Sequence, residues 1–168
     1  MENYIIYDEI GVGSACNVYK GRRKGTIDFV AVLSVKKSRR AAITNWVRIG
    51  HQLSHDNITE FKEWYETTNH LWLVIELCTG GSLEQVIKQD KQLPLSEIRK
   101  MGADLTKGIS ALQKSEICLG DLTPGRCLFD GPGVLKINNL SCAHYENEEI
   151  DSVYNSVMEE LNNGIEGT

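Results

Sequence analysis

Two glycines one residue apart, Gly11 and Gly13 in Ile10-Gly-Val-Gly-Ser-Ala-Cys-Asn-Val-Tyr-Lys-Gly21, are the first place where this chain could do chemistry. Without a Cβ, such a pair allows a tight turn and lets backbone amides come close to a ligand such as a phosphate. Val18, five residues past Gly13, would then lie over the ligand as an apolar lid. The pattern is short, and an ordinary β-hairpin satisfies it equally well. Metal chemistry has less support. The five cysteines (Cys16, Cys78, Cys118, Cys127, Cys142) are scattered without Cys-x-x-Cys spacing, and the histidines form no ligand cluster with them. An odd, dispersed set of this kind reads as free, buried thiols of a protein in a reducing compartment.

The elements that must position this turn can be read from periodicity. Tyr4–Gly11, Asn17–Arg22 and Asp28–Lys36 have the composition of strands, and Phe29 to Leu33 is β-branched and apolar enough to be a buried one. A basic cluster follows, Lys36, Lys37, Arg39 and Arg40, which as a solvated turn would need no further role. Ile43, Trp46, Gly50 and Leu53 fall at helical spacing and predict a short amphipathic helix over Ala41–Leu53. Strands over Phe61–Glu66 and Leu71–Leu77 flank a Thr67-Thr68-Asn69 turn, so the first half reads β-β-β-α-β-β. Ser82, after Gly80-Gly81, can cap a helix running to about Lys88. Pro94 suits the first turn of a longer helix, Leu95–Lys114, with an apolar stripe of Leu95, Ile98, Met101, Leu105, Ile109 and Leu112. Short apolar pieces within Ile117–Phe129 and Val134–Ile137 predict a small hairpin around Gly131-Pro132-Gly133. At the end, Ile150, Val153, Tyr154, Val157 and Leu161 share one helical face, although the low hydrophobicity there suits a disordered segment as well.

Taken in order, the landmarks are the glycine turn with Val18, Val30-Ala31, a helix, His55-Asp-Asn-Ile58, Leu73-Val-Ile-Glu-Leu-Cys78 running into Gly80-Gly-Ser-Leu83, a long helix, Asp121-Leu-Thr-Pro124, and Gly133-Val-Leu-Lys-Ile137. Each alone is weak, but their order and spacing together are specific. From Met1 to about His144 the chain resembles the protein kinase fold, an α+β architecture. Gly21-Arg-Arg-Lys-Gly-Thr-Ile27, Thr44-Asn-Trp-Val47 and Asn69-His-Leu-Trp-Leu73 direct the resemblance to the Unc-51-like serine/threonine kinases, and to a divergent pseudokinase member among them. The resemblance implies an antiparallel five-stranded N-lobe with one helix and a hinge over residues 1–78, an incomplete, mainly helical C-lobe over 79–144, and an acidic tail over 145–168. The later helices of a kinase second lobe have no counterpart, so the expectation is a truncated domain. In it the apolar stripe of Leu95–Lys114 is partly uncovered and the first lobe is the more stable unit.

The resemblance also assigns sites. A kinase uses a strand-three lysine paired with a helix glutamate, an aspartate before Phe-Gly and a loop asparagine for Mg²⁺, and a catalytic-loop aspartate for the substrate hydroxyl. Here the lysine position is Leu33 and the glutamate position is Trp46. The His-Arg-Asp triplet reads Leu119-Gly120-Asp121, the loop lysine is Thr123, the loop asparagine is Arg126, and Asp-Phe-Gly reads Asn139-Leu140-Ser141. Asp121 is thus vestigial, with the role of a loop aspartate bonding nearby amides equally open to it. Asn139 and Arg126 are degenerate as metal ligands, and no metal is expected. The nucleotide pocket is better kept. The implied ATP lining is Ile10, Gly11, Gly13, Val18, Ala31, Leu33, Ile75, Glu76, Cys78, Leu128 and Asn138, with adenine between Val18 and Ala31 above and Leu128 below. Lys37 and Arg39 share the parity of Leu33 if strand three continues, and would replace the missing phosphate anchor. ATP held without Mg²⁺ is therefore the implied cofactor. The implied role is a non-catalytic interaction module; the alternative is a weak or atypical serine/threonine kinase using Asp121.

Composition bounds these readings. At 168 residues, 41% hydrophobic and 24% charged, the chain has the size and balance of one globular domain. It has no long apolar run and no basic, apolar leader, so neither a membrane span nor a signal peptide is expected, and the cytoplasm is the expected location. The net charge of −5 is uneven: seven acids and no Lys or Arg lie from His144 onward, leaving +2 on the remainder. An acidic end argues against nucleic acid as a partner, and protein partners are not identified by any motif.

Overall fold

The computed structural model describes residues 2–13 and 16–148. Strands β1 (Tyr4–Val12), β2 (Cys16–Arg23), β3 (Phe29–Lys36), β4 (Phe61–Glu66) and β5 (His70–Glu76) form one antiparallel sheet in the order β1-β2-β3-β5-β4, with helix α1 (Arg40–Gly50) between β3 and β4. The five-stranded, one-helix first lobe expected from the sequence is therefore present. β3 reads as an almost unbroken apolar run because it is central and covered on both faces. Ala31, Leu33 and Val35 join Leu71, Leu73 and Ile75 of β5 in the main core, while Val30 and Val32 pack with Val74, Tyr4 and the partly buried Tyr19 and Trp72 on the other side.

α1 closes the main core with Ile43, Trp46 and Ile49, all buried. It ends earlier than the sequence predicts. After Gly50 the amides of Gln52 and Leu53 bond to Ile49 and Gly50, so the chain tightens into i→i+3 turns and Leu53 lies beyond the helix. The long basic stretch before α1 is likewise no continuation of β3: residues Lys37–Arg39 form a 3₁₀ turn.

The second part contains α2 (Leu83–Asp90), α3 (Leu95–Lys114) and two two-stranded pieces, β6 (Ile117–Cys118) with β9 (His144–Tyr145) and β7 (Cys127–Phe129) with β8 (Leu135–Ile137). Ser82 caps α2 with a full capping box: its hydroxyl accepts from the Gln85 amide at 3.2 Å while the Gln85 side chain accepts from the Ser82 amide at 2.9 Å. Leu112 of α3 is buried, and Leu105 and Ile109 are partly buried against the core. A side chain at Gly108 would meet both the Asn57 carbonyl oxygen and Ile137 Cδ1 at 2.9 Å, which is how α3 comes so close to β8. Leu95 and Ile98 at the start of the same stripe are exposed. No helix among the described residues is long and apolar enough to cross a membrane. The apolar face Ile150, Val153, Tyr154, Val157 and Leu161 lies outside the described residues.

Candidate functional site

The glycine turn, β3, the end of β5, the start of α2 and the β7–β8 hairpin converge on one cleft of about 310 Å³. It lies within the range of small-molecule sites, at the small end. Ile10, Gly11, Gly13, Val18, Ala31, Leu33, Ile75, Glu76, Cys78, Leu128 and Asn138 all line it, so eleven residues far apart in sequence are brought together. The register explains the apolar side. Val18 pairs with Leu33, and Ala31 with Ile75, so alternate residues of three neighbouring strands present one face. β5 ends at Glu76, and among the described residues the Cys78 amide has no backbone acceptor, so the strand edge there keeps hydrogen-bonding capacity. Burial, first, and the nearby Glu76 carboxylate push the Cys78 thiol up to about 12, so it stays a neutral thiol. Glu76 itself is anchored by Lys136 of β8 at 2.8 Å, a half-buried ion pair that joins the first lobe to the hairpin.

Lys37 and Arg39 are not in this lining. Because β3 stops at Lys36, the strand alternation that would carry them onto the face of Leu33 ends before them. Lys37 instead pairs with Glu66 of β4 at 2.7 Å. Arg39 borders a second hollow with Cys16, Ser34 and His70. The anchor expected after strand three is thus directed elsewhere by a single 3₁₀ turn. Conversely, Val12, Leu77, Gly81, Ser82 and Gln85 line the cleft without having been expected in its lining. The Ser82-x-x-Gln85 capping box was the available signal, since it fixes the start of α2 beside the hinge.

The charged positions have changed character. Leu33 and Trp46 are each 4% exposed and belong to the same core, and α1 carries no acidic residue. Asp121 is held by Arg126, with Nη2 2.7 Å from Oδ2. Asn139 has φ +66°, and its side-chain oxygen accepts from the Ser141 amide at 3.1 Å, so that oxygen is already used within the loop. Among the described residues no group of three or more His, Cys, Asp or Glu could hold a metal ion. Gly120, where a kinase has arginine, has φ +77°, and a Cβ there would run into the Cys142 carbonyl oxygen.

A polar latch ties α1 to the loop that follows β8. Buried Asn45 donates to the carbonyls of Ser141 at 2.8 Å and Ala143 at 2.6 Å. Arg48 donates to Asn45 at 2.7 Å and makes a two-pronged contact with Glu148. Its guanidinium also lies 5.1 Å from the centre of the Tyr145 ring, whose hydroxyl donates to Gln52 at 2.8 Å. Hydrogen bonding from Arg48 holds the Glu148 carboxyl below the usual glutamate range. The helix is therefore tied to the loop that follows β8 by neutral amides and one ion pair.

Comparison with known proteins agrees with this geometry. The family model for the protein kinase domain matches residues 4–160. The mouse serine/threonine-protein kinase ULK4 is 52% identical over 167 residues, covering 99% of this chain and 13% of the mouse protein. The Arabidopsis thaliana serine/threonine-protein kinase RUNKEL is 42% identical over 137 residues, 82% of this chain and 10% of that protein. The chain thus spans about an eighth or less of the length of these relatives. On the fold, the cleft and these matches, the chain belongs to the protein kinase family, on its Unc-51-like branch.

Proposed function

We propose that this chain is a pseudokinase module that holds ATP without transferring its phosphate and acts by presenting a surface to protein partners. The observation that carries the reading is the Asp121–Arg126 ion pair, in a chain that also has a cleft whose walls are largely apolar. A catalytic aspartate must accept from a substrate hydroxyl while metal ions neutralise the phosphates. Here that carboxylate already faces a guanidinium, and a fixed positive charge occupies the loop position of a metal ligand. The cleft residues fit the nucleotide: Val18 and Ala31 for one face of adenine, Leu128 for the other, and the backbone at Glu76 and Cys78 for its edge. ATP bound there would supply a polyphosphate, and the chain's own residues orient the base and exclude water from it. The five cysteines are all unbridged, which fits the reducing cytoplasm.

Removing one preorganised electrostatic group typically raises a barrier by about 3–4 kcal/mol, and the losses are not additive. Incubation with labelled ATP, Mg²⁺ or Mn²⁺ and a generic protein substrate is accordingly expected to give no transfer above background. Turnover that disappears in Asp121→Ala would overturn the reading in favour of a weak serine/threonine kinase.

A further inference from the structure

The cleft has a deficit of positive charge. Among the described residues no lysine or arginine lines it, and its charged side chain, Glu76, is occupied by Lys136. A polyphosphate needs cationic donors, and among the described residues neither a metal-binding cluster nor a strand-three lysine supplies them.

Arg126 is placed to do so. It lies directly before β7, whose Cys127 is buried while Leu128 lines the cleft. Arg126 closes the 3₁₀ turn Pro124–Arg126, two residues before the cleft residue Leu128. Its carbonyl accepts from the amide of Asn138, another cleft residue, at 2.8 Å. Guanidinium offers five N–H donors in a fixed fork. Nη2 is engaged by Asp121, whereas Nη1 is buried without a hydrogen-bond partner. A buried cationic donor left without an acceptor is unfavourable, and it is the kind of group that an anionic oxygen satisfies.

We propose that Arg126 is the phosphate anchor of the nucleotide site, replacing the metal ion with a guanidinium, and that Asp121 is a positioning residue that holds the fork. This rests on the nucleotide-binding reading above. Because the guanidinium charge is permanent, the anchor needs neither a divalent cation nor a particular pH.

The test is a titration of the full chain with adenosine, AMP, ADP and ATP in EDTA, for the unmodified protein, Arg126→Ala and Arg126→Lys. The unmodified chain should bind more tightly as phosphates are added. Arg126→Ala should weaken ATP about 10-fold or more while leaving adenosine nearly unchanged, since a charge-assisted hydrogen bond is lost and the adenine contacts are not. Arg126→Lys should retain part of the gain, because it keeps the charge but loses the fork. The adenosine affinity also reports that each variant is folded. Adenosine binding with an undiminished ATP preference in Arg126→Ala would overturn this inference alone. Absence of both adenosine and ATP binding in the unmodified chain would overturn the nucleotide reading and this inference with it.

Discussion

Gly120→Arg, which would restore the arginine of a kinase catalytic loop, is expected to destabilise the chain by about 3 kcal/mol or more. Two independent causes contribute. Gly120 has φ +77°, a region that costs an L-residue roughly 1–2 kcal/mol. Any Cβ there also runs into the Cys142 carbonyl oxygen, which is backbone and cannot swing aside. The contact follows from the pairing of β6 with β9: Cys118 opposes His144, so Gly120, two residues on, approaches Cys142. Gly120→Ala should show most of the effect, because the Cβ alone makes the clash. Urea unfolding of the three proteins measures it, and a Gly120→Arg protein within about 0.5 kcal/mol of the parent would show that the loop yields.

The second large effect is at the strand-three lysine position. Leu33→Lys should cost about 3–5 kcal/mol, the range for an uncompensated buried charge. Leu33 is 4% exposed, opposite Val18 and Leu73, and α1 carries no acid to meet an ammonium. Burial would depress the new lysine's folded-state pKa below its unfolded value. The unfolded state then binds more protons between the two values, so the variant should regain stability as pH rises through that window. Trp46→Glu should be comparably harmful, since it removes a large core side chain and buries a carboxylate. Combining the two should recover about 1–3 kcal/mol of coupling, because each charge then has a partner. Strict additivity in that double-mutant cycle would mean that the two positions do not meet.

These two sites show what was legible in the sequence and what was not. The sheet and α1 were legible because strand alternation and helical spacing fix which residues share a face; Val18, Ala31, Leu33 and Ile75 were expected in the cleft from the resemblance to protein kinases, and the strand register brings them onto one face. Lys37 and Arg39, expected there by strand alternation, are not in the lining because the strand ends at Lys36, and nothing in Lys-Lys-Ser-Arg-Arg marks whether a strand or a 3₁₀ turn runs through it. The Asp121–Arg126 pair was not legible because its geometry depends on the turn at Pro124–Arg126, not on periodicity. The Asn45 and Arg48 latch joins residues 96 to 100 positions apart through carbonyls and one carboxylate, and such contacts leave no pattern in a single sequence.

Both reversions are expected to fail for one reason. The positions matching the strand-three lysine, the helix glutamate and the catalytic loop of a protein kinase are here apolar core, close backbone contact and an internal ion pair. The most direct test of that account is calorimetric titration of ATP into the full chain, once in EDTA and once in millimolar Mg²⁺. The account predicts saturable binding in both, with dissociation constants agreeing within about threefold. Binding that appears only when Mg²⁺ is present would contradict it.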